Sequence, residues 1–68
     1  APIHLSPREQ ECLGWVAKGK SATEIAIIVG LLVESVRDHL KRVRTKLNAS
    51  TRAQALMRAM ELGLITSH

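Results

Sequence analysis

The chain of 68 residues contains no phenylalanine and no tyrosine, and Trp15 is its one tryptophan. Its core must therefore be aliphatic. Cys12 is the single cysteine, which excludes an internal disulfide and suggests a reducing compartment. Long apolar runs are also missing. The longest, residues 25–33, counts nine residues and includes Gly30. That is far short of the roughly 18 that a membrane span needs, and no cleavage-site pattern accompanies it. Apolar residues as a class are nevertheless plentiful, at 46% of the chain, which excludes a disordered polar tail. A domain of this size rarely draws more than roughly 3–5 kcal/mol from its core. It cannot hide a deep substrate cavity, which argues against a self-contained enzyme. The expectation is one small, soluble, cytoplasmic domain from a longer protein, with residues 1–4 as the end of a linker and residues 5–68 as the domain.

Acidic residues are scarce in one place above all. Residues 1–36 carry three bases against four acids, a net of −1, whereas residues 37–58 carry seven bases against Asp38 alone, a net of +6. A cationic block inside an apolar-rich, folding segment suggests a polyanionic partner. A solvated helix face is the competing reading, and the placement of the charges has to decide between them.

Four helices are expected, at about 7–18, 22–29, 33–47 and 52–62, giving an all-α, compact four-helix bundle. Ser6 with Glu9, Ser21 with Glu24 and Thr51 with Gln54 have the spacing of capping boxes, and Pro7 suits a first helical position. Gly19, Gly30 and Gly63 mark three helix ends. Cys12, Leu13, Val16 and Ala17 form the apolar stripe of the first helix. The segment IAIIVGLLV could pass for a buried strand. The capping box before it, Gly30 within it and the lack of a second strand favour a helix followed by a turn. In the third helix Val36, Leu40, Val43 and Leu47 recur at spacings of 4, 3 and 4, the cleanest periodic signal in the chain.

The second and third helices, joined by Gly30, Leu31 and Leu32, have the form of a helix-turn-helix. At about 100° per residue, Glu34, Asp38, Lys41 and Thr45 lie opposite the core side of the third helix. Arg37 and Arg44 flank that face on one side, and Ser35, Arg42 and Lys46 on the other. A helix lying in a DNA major groove needs this arrangement, with base edges meeting its outer ridge and phosphates lining both sides. Glu34, Asp38 and Lys41 on that ridge, with Arg37 at its edge, are the candidate base readers of a recognition helix.

In the order LSPRE (5–9), AKGKS (17–21), EIA (24–26), SVRDHL (35–40), KL (46–47), RAQA (52–55) and GLI (63–65), the chain resembles the LuxR-type helix-turn-helix domain of bacterial transcription regulators. Trp15 resembles the quorum-sensing branch. The resemblance implies a four-helix DNA-binding output domain at the C-terminus of a longer regulator, downstream of a signal-binding or phosphoryl-receiving domain. It implies a dimer on double-stranded DNA with the fourth helix at the interface. By position, Arg37, Asp38 and Lys41 resemble base-reading sites, and Ser21, Thr23, Ser35, Arg42, Lys46 and Arg52 resemble phosphate-contact sites. The family usually caps the recognition helix with serine or threonine where this chain has Leu32, and Ile27 and Ile28 stand where polar residues are usual. With Leu31, Leu32 and Val33 they form an apolar surplus, read either as a contact for another domain or RNA polymerase or as ordinary partial burial.

The fourth helix projects three faces. Ala55, Leu56, Ala59 and Leu62 are expected to close the core, and Gln54, Arg58 and Glu61 to face water. Ala53, Met57 and Met60 form a second apolar stripe, expected either as a dimer interface or as tolerated exposed side chains. Other chemistry finds little support. Ser35 and His39 lie one turn apart, but Asp38 points elsewhere and no oxyanion loop follows, so no catalytic triad is expected. His4, His39, His68 and Cys12 lack ligand spacing, so neither a metal nor a cofactor is expected. Glu9 and Glu11 read as cap and surface groups. A module that docks its basic face on an acidic protein, a membrane-surface segment and a sigma-factor-like promoter module remain the alternatives.

Overall fold

A computed structural model describes residues 3–65. Ala1 and Pro2 of the expected linker, and Thr66, Ser67 and His68, lie outside the described residues. Four helices follow in order: α1 (Pro7–Ala17), α2 (Ala22–Val29), α3 (Val33–Lys46) and α4 (Arg52–Glu61). No strand occurs among the described residues. Lys18, Leu47 and Leu62, expected as last helical residues, are the cap residues one step beyond.

The helix starts are made by side chains. The Ser6 hydroxyl accepts the Glu9 N–H at 3.2 Å, and the Ser6 N–H donates to Glu9 Oε1 at 2.7 Å. Ser21 and Glu24 repeat this reciprocal box at 3.2 and 3.0 Å. At α4 the expected box is only half formed. Thr51 accepts the Gln54 N–H at 3.1 Å, but Gln54 Oε1 takes the N–H of Ser50, at 2.8 Å, instead of that of Thr51. The helix α3 starts at Leu32, which offers no side-chain hydrogen bond.

The ends share one device, a left-handed residue whose successor reaches back to satisfy an orphaned carbonyl. Gly30 has φ 73°, and the next N–H, of Leu31, donates to the Ala26 carbonyl at 3.0 Å. A Cβ there would meet nothing within 4 Å, so glycine is needed for its backbone and not for room. After α3 the same role falls to Asn48, with φ 53°, and the Ala49 N–H donates to the Arg44 carbonyl at 2.8 Å. Asparagine is among the few side chains that adopt this conformation readily.

The helix α3 touches all three others, α1 touches α2 and α4, and α2 and α4 do not meet. The core is accordingly split in two. Cys12, Ala22, Ile25, Ala26, Val36 and Leu40 pack α2 against α1 and the first half of α3. Leu5, Leu13, Val43, Leu47, Ala55 and Ala59 pack α4 against α1 and the second half. Val16 lies against both clusters. Val36, Leu40, Val43 and Leu47 are all at most 3% exposed, as their spacing requires.

The expected core face of α4 needs correction. Ala55 and Ala59 are buried, Leu56 is half-buried, and Leu62 is 56% exposed. The reversal at Gly63 replaces it. Leu64 and Ile65 fold back onto the cluster instead, and the Gln10 side chain donates to the Leu64 carbonyl at 3.5 Å. Two alanines as the buried contact let α4 lie close to its neighbours.

Leu32 at the N-cap leaves the first N–H groups of α3 without a side-chain acceptor. Serine or threonine at such a position contributes about 0.5–2 kcal/mol relative to a residue that cannot cap. Leu32→Ser is therefore expected to raise stability by about that amount, read as a higher urea midpoint at unchanged slope.

Candidate nucleic-acid interface

The burial of one side of α3 dictates what its other side presents. Glu34, Arg37, Asp38, Lys41, Arg42 and Thr45 are exposed, while Ser35, His39 and Arg44 are half-buried. Asp38, Lys41, Arg42, Thr45 and Lys46 line a shallow concavity along this face. The Thr45 hydroxyl donates to the Lys41 carbonyl at 3.0 Å, so it turns inward to the backbone.

The cations divide by what they already hold. Arg58 Nη1 donates to the Leu47 carbonyl at 3.2 Å, placing positive charge at the C-terminal end of α3, where the helix dipole favours it. Lys46 Nζ lies 2.6 Å from Glu9 Oε1 and 3.2 Å from the His4 carbonyl. Arg37, Lys41, Arg42 and Arg52 take part in no ion pair among the described residues. Arg52 opens α4, where its charge opposes the helix dipole. That position is unfavourable in isolation and suited to an anion. Ser21, Thr23 and Ser35 also stand at helix starts, where backbone N–H groups favour anions. The Ser21 hydroxyl already serves as a cap and retains its O–H to donate.

The sequence reading missed the role of Glu9. The cap it was expected to supply is formed, but the residue is also only 2% exposed. Its Oε1 accepts from both Ser6 and Lys46, while Oε2 is buried without a partner. Burial pushes the carboxyl pKa up, yet hydrogen bonding from Lys46 and Ser6 and the Lys46 charge outweigh it and hold it below the ordinary value. The sequence carried one half of this signal, the capping-box spacing. Its other half, Lys46, lies 37 residues away, and nothing local announces it. His39 also keeps Nδ1 buried without a partner, so it belongs to the packed flank of α3.

Comparison with known proteins agrees with this geometry. The family model of bacterial regulatory proteins, luxR family, matches residues 4–59. The chain belongs to the luxR family. It is the LuxR-type helix-turn-helix DNA-binding domain of a transcription regulator, with α2 and α3 as the helix pair. Among similar proteins, the transcriptional activator protein AnoR of Acinetobacter nosocomialis is 41% identical over 93% of this chain and 26% of its own length. The quorum sensing-dependent regulator RpaR of Rhodopseudomonas palustris is 44% identical over 90% of this chain and 25% of its own. The solved structure of the transcription factor GerE superposes with a TM-score of 0.88 at 29% identity, covering 91% of this chain and 92% of that one. The LuxR-type domain thus spans about a quarter of the length of these curated relatives.

Within the LuxR-family fold, the apolar surplus resolves into two parts. Leu31 and Val33 are half-buried against the α1–α2–α3 cluster, whereas Ile27 and Leu32 are 78% and 75% exposed and Ile28 is 44% exposed. No described helix is long and apolar enough to cross a membrane.

The lowered Glu9 pKa has a definite sign in stability. Its contribution is complete above the ordinary value of 4.5 and is lost as pH falls through the lower, folded-state value. Lys46→Met leaves the buried carboxylate unpaired and is expected to cost about 1.5–3 kcal/mol at pH 7. The gap from the parent should shrink as the pH drops from 5 toward 3 (urea unfolding at several pH values). A gap independent of pH would show that the ion pair is not what Lys46 supplies.

Proposed function

We propose that this LuxR-family domain binds double-stranded DNA sequence-specifically as the output module of a longer bacterial transcription regulator, working in the cytoplasm. The observation that carries the reading is the unpaired cationic face of α3, the second helix of the helix-turn-helix, opposite a wholly buried apolar side. An α-helix fits the B-DNA major groove, and a recognition helix meets base edges with its N-terminal part. Arg37 and Lys41 suit the paired acceptors of guanine, and Glu34 and Asp38 suit the amino group of cytosine. The two carboxylates also act by exclusion, since they repel phosphate wherever the register is wrong. Ser21, Thr23, Ser35, Arg42 and Arg52 hold the backbone on either side. Lys46 has three donors; two are engaged within the domain, and the third remains for a phosphate.

The relatives named as quorum-sensing regulators support an upstream signal-binding domain, and a phosphoryl-receiving domain is the other form such a partner takes. Ile27 and Ile28 are the surface left for that domain or for RNA polymerase. Dimerisation is assigned to the stripe on α4. Ala53 and Met57 are exposed and Met60 is half-buried, and a two-fold contact there would set two recognition helices about 34–36 Å apart. The patch is small, so pairing is expected on DNA and not in free solution.

For roughly four to six phosphates per subunit, the log–log dependence of affinity on salt should have a slope of about −4 to −5. Arg37→Ala or Lys41→Ala should cost about 1–3 kcal/mol on the selected site and much less on random duplex. Asp38→Ala should blur sequence preference without weakening non-specific binding. A slope near zero by fluorescence anisotropy, or equal losses on every sequence, would overturn the reading.

For the dimer, Met57→Glu should abolish cooperative filling of a two-half-site operator while leaving the circular dichroism spectrum unchanged. Retained cooperativity would place the interface elsewhere.

A further inference from the structure

Large apolar side chains exposed among the described residues are Ile3, Ile27, Ile28, Leu32, Met57 and Leu62. Only Leu32 stands at the start of α3. It occupies the N-cap with extended backbone, makes no cap hydrogen bond and is 75% exposed. The other three helices start on a serine or threonine hydroxyl that accepts a backbone N–H. Leu32 thus forgoes the cap and keeps most of its apolar surface in water, two losses of stability at one position. Local rules of this kind are broken chiefly where a site needs the side chain.

The tip of α3 is the part of a helix-turn-helix that meets base edges first. Thymine's methyl is the one apolar group that base pairs present in the major groove. A leucine set against any other base edge would cover a donor or acceptor and give it no partner. We propose that Leu32 reads the 5-methyl group of a thymine, a specificity contact beyond the polar readers Glu34, Arg37, Asp38 and Lys41. At about 1.5 Å per residue, Leu32 precedes Arg37 by about 7–8 Å along α3. The thymine therefore lies one or two base pairs outward from the base that Arg37 meets. The inference rests on the DNA-binding reading above and adds to it a defined base at a defined distance.

The test begins with selection of sites from a randomised duplex pool by the unaltered chain. Each thymine of the enriched site is then replaced by deoxyuridine, which removes the methyl and leaves base pairing intact. Affinities are measured for the parent and for Leu32→Ser, a substitution that can cap α3 and so preserves the fold. The expected result is one thymine per half-site whose methyl is worth about three- to fivefold to the parent, the value of burying one such group, and nothing to Leu32→Ser. Deoxyuridine effects that are absent, or equal in the two proteins, overturn the role of Leu32 and leave DNA binding standing. Failure of the pool to enrich any sequence overturns the DNA-binding reading, and this inference with it.

Discussion

Everything in this domain depends on α3 being held by one side only. Val36, Leu40, Val43 and Leu47 bury one edge of that helix against three other helices, and in a core without phenylalanine or tyrosine only the half-buried Trp15 adds an aromatic side chain beside them. At roughly 25 cal/mol per Å² of apolar surface, such a core leaves a small domain little margin. No polar residue of the exposed face can turn inward without a loss the domain is too small to absorb. The constraint that stabilises the fold is thus the same one that keeps Glu34, Arg37, Asp38 and Lys41 in water.

The split core follows from this. The helices α2 and α4 never meet, so each is positioned only through α1 and α3. The first cluster sets the angle of the helix-turn-helix, and the second sets α4 and its methionine stripe. Glu9 joins the two ends of this frame, capping α1 through Ser6 and gripping the end of α3 through Lys46. The same lysine reaches the His4 carbonyl, so the segment entering the domain and the C-terminal end of α3 share one ammonium group. Arg58 adds a second tie, from α4 to the Leu47 carbonyl at the end of α3. Both ends of the recognition helix are therefore special: its C-terminal end is pinned by cations from its own last turn and from α4, and its start is left uncapped and apolar.

Membership of the luxR family accounts for the architecture and for the DNA-binding role, and the particular residues of this chain give that role its character. As the proposed readers, Glu34, Arg37, Asp38 and Lys41 would favour discrimination over raw affinity, because carboxylates in a groove lower binding wherever they lack a donor. Two of the seven cations in the block, Lys46 and Arg58, already hold partners within the domain. The net charge of the block overstates what DNA would meet.

The sequence by itself determined the local matters. Helix starts at Ser6, Ser21 and Thr51 and stops at Gly19, Gly30 and Gly63 were legible because capping is written within a few residues. The buried line of α3 was legible because its period is the period of the helix. The sorting of Glu34, Asp38 and Lys41 onto the far side, with Arg37 at its edge, follows from the same arithmetic. Only the tertiary structure decided what contacts between distant segments decide. It buried Glu9 and spent Lys46 on it, gave Asn48 the left-handed position that a glycine holds after the other helices, and exposed Leu62 while Leu64 and Ile65 closed the core in its place. It also separated Leu31 and Val33, which pack, from Ile27 and Leu32, which do not. Periodicity states which residues share a face; it does not state which neighbour covers that face, and in a bundle of four short helices that is settled by how the helices cross.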